Sequence, residues 1–258
     1  MPLELVTIPC LSDNYAFLIH DAETGDTAAV DVPEAAPILA ALAARGWSLS
    51  QILLTHHHAD HIQGVEELRR QTGARVVGNA ADAHRLPPLD LALDEGGEVT
   101  VGSETGHTLD VSGHTIGHIA FHFPRSELAF TGDSLMAMGC GRLFEGTAEM
   151  MWRSLSKLAA LPGDTLICSG HEYTESNARF ARSLEPANPA LIFRSGSIAA
   201  ARKDGRPTVP SQLADELATN PFLRANLPEL KTAVDMADAG DAGDAEVFAE
   251  IRRRKDKF

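Results

Sequence analysis

Between Thr55 and His61 the chain reads "THHHADH", four histidines and an aspartate within seven residues, entered from the apolar run "QILL". Imidazoles and carboxylates at this density suit a divalent cation such as zinc or iron. A solvated histidine-rich loop is the alternative for the heptad taken alone. In extended chain alternate side chains share a side, so His56, His58 and Asp60 point one way and His57 the other. A helix opening near Asp60 would swing His61 back towards them. Two adjacent binding corners result, one from His56 and His58, the other from Asp60 and His61.

Three later stretches repeat the design. "SGHTIGH" sets His114 in a turn after the strand-like "HTLDV". "FTGDS" sets Asp133 after "LAFTG", and "CSGHE" sets His171 after "TLICSG". Each ligand-type residue sits at a strand end beside glycine, where the chain can turn sharply and where active sites of layered folds gather. Cysteine is nearly absent, with only Cys10, Cys140 and Cys168, so a closed cysteine-rich structural site is ruled out and a catalytic site with open positions is expected. Two cations about 3.5–4 Å apart can share a water and lower its pKa from 15.7 towards roughly 7, giving a hydroxide nucleophile at neutral pH. Asp60 is a metal ligand or a general base, and a carboxylate among cations favours the ligand role. Ser134 and Cys140 lack a positioned base and are read as structural. Asp31, closing "TAAVDV", is either a carboxylate supporting the ligands or a turn residue. His57 and His118 are candidates for the same supporting role, while His20, His84, His107 and His122 are read as core or surface.

The elements that must position these residues are short strands and a few helices. Strand patterns are "LELVTI", "YAFLI", "TAAVDV", "QILLT", "ARVVG", "HTLDV", "IAFHF", "LAFTG" and "TLICSG". Helices are expected from Pro33 to Arg45, from His61 to Gln71, and from Thr147 to Leu161. Beyond Tyr173 strand-like runs disappear, and "TESNARFARSLE", "PSQLADELA", "LPELKTAVDMA" and "DAEVFAEIRRRKDKF" read as helical. "ADAGDAGDA" reads as an acidic surface loop. The layout predicts an α/β sandwich over residues 1–172 followed by a smaller helical domain over 173–258.

The heptad, followed in order by His114, Asp133 and His171, resembles the metallo-β-lactamase superfamily. That resemblance implies a four-layer αββα sandwich of the α+β class with a dinuclear site at one edge. Carried over, His56, His58 and His114 hold one metal, Asp60, His61 and His171 hold the second, and Asp133 bridges both. Asp60 and Asp133 would act through the bridging hydroxide. "IPCLSDNYAFLI", "GCGRLFEGT", "GHEYT", "TNPFLR" and the terminal "RRRKDKF" are similar to the glyoxalase II (hydroxyacylglutathione hydrolase) family, so this narrower resemblance runs nearly the whole length. It implies hydrolysis of S-D-lactoylglutathione, or another S-2-hydroxyacylglutathione, to glutathione and D-lactate, the second step of methylglyoxal detoxification. It also implies two divalent ions per chain, zinc before iron or manganese.

Glutathione carries carboxylates, so its site needs cations and hydroxyls. By the same resemblance Arg252 and Lys255 meet the glycine carboxylate, Tyr173 adds a hydroxyl, and Arg142 and Phe144 line the site. At i and i+3, Arg252 and Lys255 share a helix face; a solvated helix end is the competing account of the basic run. The family usually has Lys and Tyr where this chain has Arg142 and Phe144, which removes one hydroxyl contact. "DVPE" stands in for its more usual Asp-Pro and leaves Asp31 intact. "NPFLR" is assigned to packing, with Asn220 capping a short helix.

Net charge of −14 excludes non-specific nucleic-acid or anionic-membrane binding. No apolar run approaches a membrane span, no secretory signal opens the chain, and scattered cysteines fit a reducing compartment. A cytoplasmic monomer acting on a small-molecule thioester is expected, since no large apolar surface helix stands out. The two competing functions are a mononuclear-iron, persulfide dioxygenase-like enzyme of the same superfamily and a non-catalytic binder of glutathione conjugates.

Overall fold

A computed structural model describes residues 1–238 and 243–258. It divides into two compact units, one taking residues 1–110, 117–132 and 168–171, the other 111–116, 133–167 and 172–258.

The first unit holds β1 (Glu4–Cys10), β2 (Asn14–His20), β3 (Thr27–Val30), α1 (Ala35–Arg45), β4 (Gln51–Leu53), α2 (Ala59–Ile62), α3 (Val65–Thr72), β5 (Arg75–Asn79), β6 (Leu91–Leu93), β7 (Glu98–Val101), β8 (Glu104–Asp110), β9 (Ile119–Phe123) and β10 (Leu128–Gly132). One sheet runs β1-β2-β3-β4-β5-β6. Its first three strands are antiparallel and its last four parallel. The parallel strands β3 and β4 are buried along their whole length, as expected when both faces are covered. The second sheet continues β7-β8-β9-β10, antiparallel throughout.

Strand β2 shows how the faces are assigned. Ala16 and Leu18 join an apolar cluster with Ile38 and Leu42 of α1 and Val65 and Leu68 of α3. Phe17, between them, turns to the other face, where its ring lies 5.5 Å from Phe130 of β10. Period-two alternation thus puts helices on one side of the first sheet and the second sheet on the other.

The helix expected from His61 to Gln71 is instead two, α2 and α3, broken at Gln63 and Gly64. The reason is a backbone clamp. Val32 N donates to His61 O at 2.7 Å, and Gly64 N donates to Val32 O at 3.0 Å. A Cβ on Gly64 would stand 2.8 Å from Ala35 N, so only glycine lets the chain come this close. The clamp fixes the helix turn bearing His61 against the end of β3.

The second unit holds β11 (Leu135–Met136), β12 (Gly139–Cys140), α4 (Ala148–Ala159), the start of β13 (Leu166–Ser169), α5 (Thr174–Leu184), α6 (Pro189–Lys203), β14 (Ser211–Gln212), α7 (Leu213–Thr219), α8 (Pro228–Ala233) and α9 (Asp244–Asp256). Aromatic rings tie its helices together: Trp152 of α4 lies 6.3 Å from Phe248 of α9, Phe248 5.8 Å from Phe222, and Phe222 6.1 Å from Phe180 of α5. Asn220 caps the short 3-10 turn Pro221–Leu223, as the sequence suggests, and does more. Its buried amide donates to Met136 O at 3.2 Å and Gly139 O at 3.0 Å, holding the β11–β12 hairpin that immediately follows Asp133.

Several expectations need correction. Helix α1 starts at Ala35 rather than Pro33, and α8 stops at Ala233, short of the expected Ala237. Strand structure does not end at Tyr173, because β14 pairs with the start of β13. Strands β6 and β7 and the whole of α6 escape the periodicity reading, although Asn188 and Pro189 are a cap and first-turn signal that the structure uses. Helix α6 also exposes Ile192 and Phe193, the latter by 80%. Residues 239–242 of "ADAGDAGDA" lie outside the described residues. Among the described residues no helix is long and apolar enough to cross a membrane.

Candidate metal centre

In the first unit the heptad leaves β4 extended, His58 sits at the N-cap of α2, and Asp60 and His61 fall on its first turn. His56 is fully buried, with ring centroids 4.8 Å from His58 and 4.2 Å from His61. His171 arrives from the end of β13, its Nε2 3.4 Å from His61 Nε2 and 3.3 Å from Asp60 Oδ2. That end is held to its neighbours by Gly170 N donating to Gly132 O at 2.9 Å and Tyr15 N donating to Gly170 O at 2.8 Å.

The tautomers follow from the partners. Asp31 Oδ2 lies 2.8 Å from His61 Nδ1 and also accepts the Thr55 hydroxyl at 2.8 Å, while its Oδ1 accepts Thr55 N at 2.9 Å. An ionised carboxylate only accepts, so His61 Nδ1 carries the proton. Thr55 Oγ1, having donated to Asp31, is left to accept from His56 Nδ1 at 3.0 Å. Asp13 Oδ1 lies 3.0 Å from His171 Nδ1 and fixes that ring in the same way. With Nδ1 protonated, His61 and His171 turn Nε2 lone pairs towards one another and towards the Asp60 carboxylate. Asp60, His61 and His171 each offer an atom within 4.8 Å of the others. Three electron-rich atoms converging this closely repel unless a cation stands among them, so the donor set fits a divalent metal with orienting partners behind each imidazole.

Asp60 is further fixed by Asn14, whose amide donates to Asp60 Oδ2 at 3.1 Å and to Asp60 O at 3.1 Å. Asn14, the donor to its carboxylate, favours the ionised form of Asp60. An ionised carboxylate beside imidazole lone pairs suits the role of ligand.

The second unit brings His114 and Asp133 together, with His114 Nε2 3.4 Å from Asp133 Oδ2. His114 Nδ1 lies 2.8 Å from Arg142 O, a carbonyl that can only accept, so its Nε2 lone pair also faces a carboxylate. Gly141 makes this possible: a Cβ there would meet Asp133 O and His114 Nδ1 within 3 Å. Asp133 itself is the residue after Gly132, the end of β10.

The supporting residues sort themselves out. Asp31 is an orienting carboxylate rather than a turn residue, though it does turn the chain with φ 54°. His57 Nδ1 lies 3.0 Å from buried Asp82, which also bonds Arg85. His118 stacks on His56 at 4.6 Å and is fully buried. His20 stacks on Trp47, and half-buried His107 lies beside Glu98. Asp13, Asn14 and Asp82 were not picked out from the sequence. Asp13 and Asn14 lie between the strand patterns "LELVTI" and "YAFLI", and only the fold brings them to His171 and Asp60. Burial pushes the Cys140 thiol up to about 11, which removes it as a nucleophile.

One outcome tests the orienting role directly. Asp31→Asn leaves the shape but exchanges an obligate acceptor for an amide that can turn its NH2 to His61. Metal affinity measured by chelator competition is expected to fall by about 10–100-fold, with the far-ultraviolet circular dichroism unchanged.

The basic tail lies in the second unit. Arg252 is buried, donates to Cys140 O at 3.0 Å, pairs with Asp256 at 2.8 Å and lies over Phe222. Lys255, on the same face of α9, donates to Ser176 O at 3.2 Å and lies over the rings of Phe180 and Phe258. Arg253 is exposed and pairs with Glu250, whereas Arg254 is half-buried, pairing with Glu250 and donating to Ala233 O at 3.1 Å and Val234 O at 2.8 Å. The run is therefore divided, and of its three arginines only Arg253 resembles a solvated helix end. Burial, with Arg252, Arg179 and Arg142 nearby, lowers the Lys255 pKa to about 8. Tyr173 and Phe144 are both exposed, and the Phe144 ring lies 5.3 Å from His114.

Comparison with known proteins matches residues 21–171 to the metallo-beta-lactamase superfamily and residues 172–258 to the hydroxyacylglutathione hydrolase C-terminus. A hydroxyacylglutathione hydrolase of Cereibacter sphaeroides is 76% identical over 258 residues, covering 100% of both chains. Among solved structures, ETHE1 from Myxococcus xanthus superposes with a TM-score of 0.69 at 26% identity, covering 98% of this chain and 90% of that one. The protein TTHA1623 in a di-iron-bound form gives 0.55 at 27% identity, covering 65% and 91%. With the metallo-β-lactamase fold, a helical C-terminal region and full-length relatives of this kind, the chain belongs to the hydroxyacylglutathione hydrolase family and is a hydrolase.

Proposed function

We propose that the protein hydrolyses S-D-lactoylglutathione and related S-2-hydroxyacylglutathiones to glutathione and the free hydroxy acid, completing methylglyoxal detoxification in the cytoplasm. The observation that carries the proposal is the convergence of His61 Nε2, His171 Nε2 and Asp60 Oδ2, each imidazole already oriented by a carboxylate. His56, His58 and His114 would hold one ion, Asp60, His61 and His171 the other, and Asp133 would join them. The di-iron form of TTHA1623 supports a count of two, and zinc, iron and manganese all suit these ligands. When bound, such a pair supplies an acidified water and polarises the thioester carbonyl.

The protein's own residues do the rest. Asp31, Thr55 and Asp13 hold the imidazoles in the ligating tautomer, so no reorientation accompanies the reaction. We assign residues 1–172 to the hydrolytic site and 173–258 to glutathione. There Lys255, Arg252 and Tyr173 meet the substrate's carboxylates and amides, joined from the preceding segment by Arg142, and Phe144 packs beside them. Its missing hydroxyl weakens binding by about 1.5–3 kcal/mol if that contact is made to a charged group in relatives. Metal-replete protein should cleave the lactoyl thioester, followed as loss of thioester absorbance with release of free thiol; no turnover would favour a non-catalytic binder.

Lys255 gives the proposal a pH signature. A lysine with its pKa lowered to about 8 is charged below that pH and neutral above it. KM for the glutathione thioester should be flat below about pH 8 and climb above it, whereas Lys255→Met should give a high KM with no such rise. The same depression means the folded state holds fewer protons than the unfolded chain between about 8 and the ordinary lysine value, so stability rises with pH across that window.

A further inference from the structure

We infer that a pocket beside α2 and α3 binds a small amphipathic monocarboxylate, a molecule with an aliphatic tail and one anionic head. Its volume is about 900 Å³, within the ~300–1,000 Å³ typical of small-molecule sites. All its lining residues belong to the first unit, and none is among the seven ligand-type residues or the glutathione contacts. It meets the heptad only at His57 and Ala59. The apolar lining comes from Ile62, Val65, Pro87 and Pro88. Val65 is fully buried in the cluster beneath the first sheet's helices, and Ile62 packs against that cluster. The proline pair is held as well. Arg69 Nη1 donates to Pro88 O at 2.9 Å and its Nη2 pairs with Asp90 Oδ1 at 2.8 Å, while Val76 N donates to Asp90 Oδ2 at 2.8 Å. Proline's fixed φ removes further freedom. Apolar walls anchored in this way lose little entropy when a ligand packs on them.

Charge selects the head group. The charged lining is Arg69, Arg70 and Glu66, two cations against one anion, in a chain whose net charge is −14. Arg69 is occupied by Asp90, and His57 by Asp82. Arg70 is exposed and, among the described residues, is in no ion pair, so its guanidinium is the group left to meet an anion. A guanidinium takes a carboxylate through two parallel N–H···O bonds, which fixes the head while the tail lies on the apolar wall. Glu66 stands one helical turn before Arg70 and lines the same pocket, so it repels a second negative charge. One carboxylate on a hydrocarbon chain satisfies all three features: the apolar wall, the open guanidinium and the neighbouring anion.

The test is a calorimetric titration of octanoate into metal-replete native protein and into Arg70→Glu, with octanamide and acetate as comparison ligands. Native protein should bind octanoate saturably, and Arg70→Glu should weaken that binding by about 10-fold, the order of one charged hydrogen bond. Octanamide, which keeps the tail and lacks the charge, should bind the native protein about 10-fold more weakly than octanoate. Acetate, which keeps the charge and lacks the tail, should lose at least as much. Arg70 is exposed, so the melting temperature of the variant should match that of the native protein. Equal affinity in native and Arg70→Glu protein would mean that the carboxylate sits on the metal ions, and would overturn the pocket. Acetate binding as tightly as octanoate, or no octanoate binding at all, would overturn it too. Thioester turnover plays no part in these readings, so the hydrolase function stands or falls separately.

Discussion

Asp133→Ala is expected to abolish thioester hydrolysis, by about 10³-fold or more, and to lower bound metal to one ion per chain or fewer. The magnitude follows from losing several kcal/mol of transition-state stabilisation when a shared ligand is removed, at about 1.4 kcal/mol for each tenfold in rate. The structure makes this substitution clean. Asp133 follows the last residue of β10, its carboxylate stands 3.4 Å from His114 Nε2, and it carries no part of the apolar core. The fold should survive, so a melting curve close to that of the native protein is part of the expected result. Retained turnover with two ions bound would contradict the joining role. Turnover lost with two ions still bound would place Asp133 in proton handling instead.

The second large effect is on substrate affinity. Lys255→Met should raise KM for the glutathione thioester by roughly 10–100-fold, the order of one or two charged hydrogen bonds, with metal content unchanged. Arg252→Ala should add to this, and it should also cost stability, because Arg252 holds Cys140 O and packs over Phe222. A denaturant midpoint separates the two effects: Lys255→Met moves KM without moving the midpoint, whereas Arg252→Ala moves both. An unchanged KM in Lys255→Met would leave the tail a structural device that closes α9 onto α5.

Much of this centre is legible in the chain. The seven ligand-type residues announce themselves because four are packed into one heptad and the other three, His114, Asp133 and His171, follow glycine at strand ends, where little else explains them. Of their orienting partners the sequence offers only Asp31, and that as one of two readings. Asp31, Asp13 and Asn14 lie 30, 158 and 46 residues from the His61, His171 and Asp60 groups they hold. Each looks in sequence like a polar turn residue, because a carboxylate that ends a strand and one that aims an imidazole have the same local signature. The fold shows the same limit. Buried strands such as β3 and β4 declare themselves by composition, but the break between α2 and α3 depends on a clamp to Val32 from a different element. Helix α6, with Gly196 in its interior, carries its signal only in the Asn188 cap. Similarly the basic run at the end reads as one cationic patch, and only packing divides it into exposed Arg253, Arg254 tied to the end of α8, and Arg252 and Lys255 facing the aromatic rings.

The account depends above all on scattered imidazoles and carboxylates holding a pair of ions that activate water against a thioester. Elemental analysis of the purified protein, run beside turnover of S-D-lactoylglutathione on the same sample, tests it most directly. Two divalent ions per chain, with thiol release that disappears on chelation and returns on metal addition, is the expected result. One iron per chain with oxygen consumption and no thioester cleavage would contradict it.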